Sequence, residues 1–302
     1  MKLRHFLSLM DISANEFRQL LARAAELKTV HKAGKMIAPL SGKTLAMVFD
    51  KSSTRTRVSF EAGMAQLGGS AMFLSPSDLQ IGRGEPIEDT ARVMSRMVDV
   101  IVMRTSEHAK VENFAAHSKV PIINALTDMY HPCQLLADMQ TYIEHRGDIA
   151  GKTVAWLGDG NNVCHSWMNA ARLLEFKLVI STPEGYDPEA ELMAECKEHV
   201  SLERDPMAAA EGADVVVTDT WASMGQEDEK SDRNKAFHLH KVTAQIMAQA
   251  NKDALFMHCL PAYRGFEVDA DVIDGPQSVV WDEAENRLHA QKALLEFLLA
   301  PK

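Results

Sequence analysis

The stretch AMVFDKSSTRTRVSFEAGMAQL, residues 46–67, decides the fold because it joins a strand pattern to a helix pattern. Its first four residues are apolar and predict the end of a buried strand, whereas residues 58–67 have helical spacing. The polar turn between them lies at a helix N-terminus, where backbone N–H groups and the helix dipole favour anions. Arg55 adds a planar guanidinium suited to phosphate, and Arg57, two positions on, points away from it. We interpret Arg55 as a ligand and Arg57 as structural, the alternative being an ordinary N-cap with two surface arginines.

Composition narrows the class of protein. The chain has 302 residues and a net charge of −10, which suits two domains and argues against nucleic acid or an anionic membrane as the main partner. It contains no apolar run of about 18 residues and no signal-peptide pattern. Its four cysteines form no CxxC pair and lack zinc-site spacing. We therefore expect a cytoplasmic protein with reduced thiols, without metal or other cofactor.

Helix and strand patterns alternate along the chain, which predicts two doubly wound α/β domains with mostly parallel sheets. A small-residue break at 147–151 places the domains at 1–147 and 148–302, and the final amphipathic segment, 284–300, is expected to return to the first domain. The predicted strands are 44–49, 71–74, 99–104, 120–124, 152–157, 177–181, 214–218, 254–257 and 278–280. The predicted helices are 13–27, 57–67, 86–98, 107–118, 132–146, 163–175, 188–198, 206–211, 241–250 and 284–299.

Ligands of such sheets bind beyond the carboxyl ends of the strands, and polar residues follow most of the predicted strands. Arg104 ends a buried strand, where an unpaired guanidinium is costly, so we interpret it as a ligand or an ion-pair partner. His131 and Gln134 lie three residues apart at the start of a helix and can face one ligand. The alternative for this pair is a capping turn with a satisfied histidine.

The second half of the chain carries its own polar strand ends. Gly158-Asp159-Gly160 resembles half of a dinucleotide fingerprint, but the third glycine and the acidic ribose ligand are missing, so Asn161 and Asn162 are better interpreted as ligands of a polar small molecule. Asp219 offers a carboxylate to a cationic group. His258 and Cys259 are neighbours on a strand and so point to opposite faces, which disfavours a nucleophile–base pair. We predict that the charged run 228–234 is a mobile surface loop without a direct role.

Taken together, these residues resemble the ornithine carbamoyltransferase family over nearly the whole chain. Residues 53–56 (Ser-Thr-Arg-Thr) and 131–134 (His-Pro-Cys-Gln) match the two signatures shared with aspartate carbamoyltransferases. Asp219 with residues 223–225 (Ser-Met-Gly), and residues 258–261 (His-Cys-Leu-Pro), match the ornithine branch. The resemblance implies transfer of the carbamoyl group of carbamoyl phosphate to the δ-amine of L-ornithine by direct attack, giving L-citrulline and phosphate in arginine biosynthesis or citrulline breakdown.

The resemblance also implies roles for individual residues. The carbamoyl-phosphate ligands it implies are Ser53, Thr54, Arg55, Thr56, Gln80, Arg104, His131, Pro132, Cys133, Gln134, Cys259, Leu260 and Arg287. The ornithine ligands it implies are Asn162, Asp219, Ser223 and Met224. We expect the catalytic contributions to come from Cys259, Arg104, His131 and Arg55, with Cys259 as our hypothesis for the proton acceptor. Gln80 is expected to reach the site of a neighbouring subunit, which implies a homotrimer or a multiple of trimers.

Three other functions stay open from the sequence. One is a transcarbamylase with another amine acceptor, namely aspartate, putrescine or an N-acylated ornithine. The second is a dinucleotide-dependent oxidoreductase that uses Gly158-Asp159-Gly160. The third is a phosphate-binding protein without catalytic activity.

Overall fold

The computed structural model describes residues 3–79, 84–222 and 229–299. The chain divides into two compact units, one formed by Met1–Gln140 with Glu285–Lys302 and the other by Thr141–Ala284. The end of the chain therefore belongs to the first unit, as the sequence predicted. The division falls at Gln140/Thr141, within a helix that the sequence assigned whole to the first domain.

Parallel strands and helices alternate along the described residues. The strands are β1 Thr44–Phe49, β2 Ser70–Leu74, β3 Val100–Arg104, β4 Ile122–Leu126, β5 Thr153–Leu157, β6 Lys177–Ser181, β7 Val200–Leu202, β8 Val215–Thr218 and β9 Leu255–His258. The helices are α1 Ala14–Lys32, α2 Thr54–Gln66, α3 Ile87–Met94, α4 His108–His117, α5 Pro132–Arg146, α6 Asn162–Leu174, α7 Ala190–Glu195, α8 Pro206–Ala210, α9 Lys230–Phe237, α10 Ala244–Met247, α11 Ala270–Ile273 and α12 Val280–Leu299. None of the helices in the described part of the chain is long and apolar enough to span a bilayer.

The sheet of the first unit has the strand order β2-β1-β3-β4, and every pair is parallel. Its two central strands are almost entirely buried, which explains why they read as continuous apolar runs. In the register of β1 and β3, Phe49 lies opposite Arg104. The chain after β1 and the end of β3 therefore present their polar residues at the same edge of the sheet.

The sheet of the second unit has the order β7-β6-β5-β8-β9 and is also parallel throughout. β5 lies beside β8, and Leu157 pairs with Thr218. Thr218 in turn pairs with His258 of β9. The loops that carry Asp159, Asp219 and Cys259 therefore leave the sheet side by side.

Most of the predicted elements are confirmed, two local predictions are wrong, and two short elements were not predicted. Residues 278–280 are not a strand: Ser278 makes one isolated bridge to Phe256, and α12 begins at Val280. A short apolar run has no periodicity that separates a strand from a helix, which explains this error. Residues 230–234 of the predicted loop 228–234 are helical, because α9 begins at Lys230, and residue 228 lies outside the described residues. The three-residue strand β7 and the four-residue helix α11 are too short to leave a pattern.

Candidate active site

The N-terminus of α2 has the geometry that the sequence predicted. Ser53 is its N-cap, with an extended backbone and a side chain that accepts a hydrogen bond from the N–H of Thr56. The first turn of α2 contains no acidic residue, so no carboxylate of its own neutralises the positive end of the dipole. Arg57 forms an ion pair with Glu61 and lies 4.1 Å over the Phe73 ring, which agrees with a structural role.

Arg287 of α12 reaches this turn from the far end of the chain. Its guanidinium is buried and donates to Thr56 Oγ1 at 3.2 Å and to Gln134 Oε1 at 2.6 Å. The Nε2 of Gln134 donates to Asp138 at 2.8 Å. Three segments that are distant in sequence therefore meet, and the Gln134 amide is oriented by a cation on one side and a carboxylate on the other.

His131 lies among these cations as a neutral side chain. It is buried, and burial lowers its pKa well below the ordinary value, with the charges of Arg287, Arg104 and Arg55 lowering it further. The three arginines therefore all lie within electrostatic reach of one imidazole. We call Arg55, Arg104 and Arg287, together with Thr56 and His131, the arginine cluster. Its neutral imidazole suits donation of a hydrogen bond rather than a positive charge.

Two residues of the same segments are held by local bonds. Cys133 is buried, its thiol donates to the carbonyl oxygen of Asn124 at 3.4 Å, and burial raises its pKa to about 12. Its side chain is therefore committed to Asn124, which leaves its backbone for the predicted contact. Arg104 accepts a backbone hydrogen bond from Asp50, whose carboxylate accepts one from Thr105 at 2.6 Å. These bonds fix the end of β3 against the chain that leads to α2.

In the second unit, the Asp219 carboxylate is oriented by three donors. Its Oδ1 lies 3.1 Å from Cys259 Sγ and accepts from the N–H of Thr220 at 2.7 Å. Its Oδ2 accepts from Asn161 Nδ2 at 2.9 Å. We call Asp219, Cys259 and Asn161, with His258, the Asp219 cluster. A buried carboxylate in a fixed orientation suits an ammonium or amine group.

The two asparagines differ in role. The Oδ1 of Asn161 caps α6 by accepting from the N–H groups of Val163 and Cys164, and its amide nitrogen serves Asp219. The side chain of Asn161 is therefore bound to α6 and to Asp219, and its role as a ligand stays a prediction. Asn162 begins α6 and is half-buried, so it stays the candidate ligand of this turn.

His258 supports the turn after β9. Its Nδ1 accepts from the N–H of Leu260 at 2.9 Å, its own N–H donates to Glu283, and its Nε2 lies 3.3 Å from Glu267. Because Nδ1 accepts, the proton of a neutral ring is on Nε2. His258 is thus committed to the backbone and to buried carboxylates, as expected if it is not the base for Cys259.

A metal could be considered at one place among the described residues. Ligand atoms of Asp219, His258 and Cys259 lie within 4.8 Å of one another, closer than opposite faces of a strand would allow, because β9 ends at His258. The Asp219 oxygens and His258 Nδ1 already take part in hydrogen bonds within the protein. A metal ion would have to displace these bonds, so we assign the group to hydrogen bonding.

The sequence reading missed Arg233, which lies inside the charged run. It is buried and forms an ion pair with Asp159 at 2.8 Å. Burial raises the pKa of Asp159 to about 6, although the charge of Arg233 opposes this shift. The sequence did not reveal this role of Arg233, because the alternating charges around it are also typical of an exposed surface helix.

Three predicted ligands, Gln80, Ser223 and Met224, lie outside the described residues.

The comparisons with known proteins cover both units. The family model described as aspartate/ornithine carbamoyltransferase, carbamoyl-P binding domain, matches residues 4–144, and the Asp/Orn binding domain model matches residues 150–298. The chain is 63% identical to ornithine carbamoyltransferase of Hydrogenovibrio crunogenus over 99% of both chains, and 64% identical to that of Methylococcus capsulatus over 99% of both. Among solved structures, ornithine carbamoyltransferase of Pyrococcus furiosus aligns with a TM-score of 0.94 at 50% identity, covering 99% of this chain and 98% of the other.

Proposed function

The chain belongs to the aspartate/ornithine carbamoyltransferase family, and we propose that it transfers the carbamoyl group of carbamoyl phosphate to the δ-amine of L-ornithine. The products are L-citrulline and phosphate. The observation that carries the choice of acceptor is the Asp219 carboxylate, oriented by Asn161, Thr220 and Cys259. A carboxylate in that place suits a cationic side chain, whereas an aspartate acceptor requires a basic group.

The arginine cluster supplies what carbamoyl phosphate needs. The phosphate carries most of the negative charge, and the N-terminus of α2 with Ser53, Thr54 and Arg55 offers donors and positive potential. The carbonyl oxygen gains charge as the amine attacks, and Arg104, Thr56 and neutral His131 are donors for it. The amine nitrogen forms a bond to the carbonyl carbon, and the bond from that carbon to the phosphate oxygen breaks. Phosphate then leaves with its electron pair.

The Asp219 cluster handles the acceptor amine. The δ-amine is mostly protonated at neutral pH and must lose a proton before or during attack. Asp219 positions it, and Cys259, whose sulfur lies 3.1 Å from that carboxylate, is our proposal for the proton acceptor. It accepts the proton in its thiolate form, and the neutral thiol is then regenerated. Cys133 takes no such part because its buried thiol is held by Asn124. The leaving group is already activated, so the reaction needs no covalent enzyme intermediate.

The structure offers a packing explanation for the partial dinucleotide fingerprint. A Cβ on Gly160 would lie 2.3 Å from the backbone nitrogen of Pro188 and 2.7 Å from the carbonyl oxygen of Tyr186. Glycine is therefore needed at this position to let residues 186–188 pack against the turn. We infer that the fingerprint reflects packing, and the oxidoreductase alternative loses its main support.

We infer that the protein is a cytoplasmic homo-oligomer, with a trimer as the smallest assembly. Large apolar side chains that are between 44% and 84% exposed occur in both units, namely Met36, Val58, Met72, Val93 and Met97 in the first and Leu239, Tyr263 and Trp281 in the second. Met72 belongs to β2, an edge strand of its sheet. An exposed apolar side chain on an edge strand is a surface that contact with a further copy would cover, which supports the proposed assembly. The cysteines form no disulfide, which suits a reducing compartment.

Formation of citrulline from carbamoyl phosphate and L-ornithine tests the proposal, with aspartate, putrescine and N-acetylornithine assayed in parallel. We expect turnover with ornithine alone. Activity with another amine would keep the role of the arginine cluster and overturn the assignment of Asp219. Binding of phosphate without turnover on any acceptor would favour the non-catalytic alternative.

A further inference from the structure

Arg233 is a buried cation in α9 that makes contacts to two different loops. Its Nη1 lies 2.8 Å from Asp159 Oδ2 and donates to the carbonyl oxygen of Trp221 at 3.0 Å. Its Nε donates to Glu229 at 2.9 Å, and its guanidinium lies over the Tyr186 ring at 5.1 Å. One side chain thus joins the loop after β5 to the loop after β8.

An aromatic stack reinforces the same contact. The ring of Phe237, one turn further along α9, stacks on Trp221 with centroids 5.9 Å apart and an interplanar angle of 21°. Phe237 also meets the Tyr186 ring edge-on at 4.7 Å. Two residues of α9 therefore contact Trp221: Arg233 binds its backbone carbonyl oxygen, and Phe237 stacks on its ring.

Both loops that Arg233 joins determine the orientation of Asp219. Trp221 follows Asp219 by two residues, so its carbonyl bond to Arg233 anchors the end of that loop. Asp159 precedes Asn161 by two residues, and Asn161 donates to Asp219 Oδ2 at 2.9 Å. The indole N–H of Trp156 further holds the carbonyl oxygen of Asp159 at 3.0 Å. A shift of either loop moves the Asp219 carboxylate or its amide donor.

We propose that Arg233 and Asp159 are positioning residues for the amine acceptor, acting through Asp219. This inference rests on the proposed function and deepens it. A buried ion pair contributes little net stability, since desolvation offsets much of the attraction. The pair of Arg233 and Asp159 instead fixes the distance between the two loops, and this keeps the Asp219 carboxylate in one orientation.

Titration of Asp159 gives the proposal a second consequence. Burial raises its pKa to about 6, while Arg233 opposes this shift and Asp219 and Glu229 add to it. Cys164 of α6 also lies within electrostatic reach. Above pH 6 the carboxylate is charged and holds Arg233. Below pH 6 it becomes neutral, and the attraction that joins the two loops weakens.

Steady-state kinetics of the full-length enzyme test the positioning role. Arg233→Met removes the charge at similar length, Arg233→Lys keeps the charge without the planar fork, and Lys235→Met is the matched control. Lys235 lies on the same helix in an exposed ion pair with Asp232. We expect Arg233→Met to raise the KM for ornithine at least about tenfold, with the KM for carbamoyl phosphate within about twofold, and Arg233→Lys to recover part of the loss.

The outcomes separate the hypotheses. Equal changes in both KM values, or an unchanged KM for ornithine in a folded variant, would overturn the positioning role. Thermal unfolding of each variant shows whether it is folded, and Arg233→Lys provides the test if Arg233→Met does not fold. Absence of activity in the wild-type enzyme would instead defeat the proposed function, so the two failures are distinguishable.

The pH profile of kcat/KM for ornithine tests the role of Asp159. Deprotonation of the amine gives the logarithm of kcat/KM a slope near +1 at neutral pH. In the wild type we expect the slope to steepen below about pH 6 as Asp159 is protonated. In Asp159→Asn the extra slope should be absent, and the KM for ornithine should be raised at pH 8. Parallel profiles of the two enzymes would overturn this role.

Discussion

The arginine cluster and the Asp219 cluster differ in the sign of their charge and in how that charge is arranged. The first gathers three cations around a neutral imidazole, and its parts come from both ends of the chain. The second contains one carboxylate whose oxygens are held by an amide, a backbone N–H and a thiol. In the proposed reaction, the first arrangement suits an anionic substrate through accumulated positive charge, whereas the second suits an amine through one carboxylate held in a fixed direction.

Loss of a cation should be the most damaging change. We expect Arg55→Met to lower kcat/KM for carbamoyl phosphate by about 1000-fold, since charge-assisted bonds to phosphate are lost. Arg57→Met, on the same helix but paired with Glu61, is the control and should change it less than about threefold. An equal loss in both variants would show that the effect comes from the helix and not from the ligand.

Removal of the negative charge of Asp219 should impair the use of the other substrate, ornithine. Asp219→Asn keeps the shape of the side chain, and we expect kcat/KM for ornithine to fall about 100-fold while the KM for carbamoyl phosphate stays within about twofold. Asp214→Asn is the matched control, because Asp214 immediately precedes the same strand, β8. Its carboxylate accepts hydrogen bonds from the N–H of Thr153 and from Asn251 Nδ2, at the N-terminal end of the strands and away from Asp219. If Asp219→Asn impaired both substrates equally, the division of labour between the clusters would be wrong.

The thiol should affect turnover more than binding. We expect Cys259→Ala to lower kcat about 30-fold and to alter the pH dependence of kcat, because the proposed proton acceptor is missing. Cys259→Ser tests whether a weaker acid of similar size retains part of the rate. Unchanged turnover together with an unchanged pH profile in Cys259→Ala would remove the thiol from the proton transfer.

Acid should distinguish the two units by stability. His289 of α12 is buried, and its pKa is lowered to about 4 by burial and by the charge of Lys292, with Glu285 opposing and Lys28 and His31 adding. The unfolded chain binds this proton near pH 6.5, so stability falls as pH drops from about 6.5 to 4, by about 2–3 kcal/mol. The raised pKa of Asp159 in the second unit has the opposite sign, because the folded form binds its proton more tightly.

Chemical unfolding at several pH values measures this effect. In His289→Met, the loss of unfolding free energy between pH 6.5 and pH 4 should be smaller than in the wild type by about 2–3 kcal/mol. The control is replacement of the exposed His238 by Gln, which should give the same loss as the wild type. If the unfolding free energy of the wild type and of His289→Met had the same pH dependence, the imidazole of His289 would have the same pKa in the folded and unfolded chain.

Local signals made much of the fold and part of the site predictable. The helix N-cap at Ser53, the helix start at Pro132 and the strand ends before Asp219 and Cys259 each depend on residues within a few positions of one another. Periodicity and capping act over that range. The prediction of a strand at 278–280 was wrong because the apolar run there is too short to show a strand or helix periodicity.

What the sequence by itself determined is the kind of chemistry: cationic and hydroxyl groups at one strand-to-helix turn, and a carboxylate and a thiol at two strand ends. Only the tertiary structure decided which groups meet. Arg287 contacts Thr56 across 231 positions, and Arg233 contacts Asp159 across 74. Such pairs leave no local pattern, because their geometry comes from how helices pack on a sheet. Burial then decides the protonation of His131 and Asp159, since the pKa of a group depends on its neighbours in space and not on its neighbours in the chain.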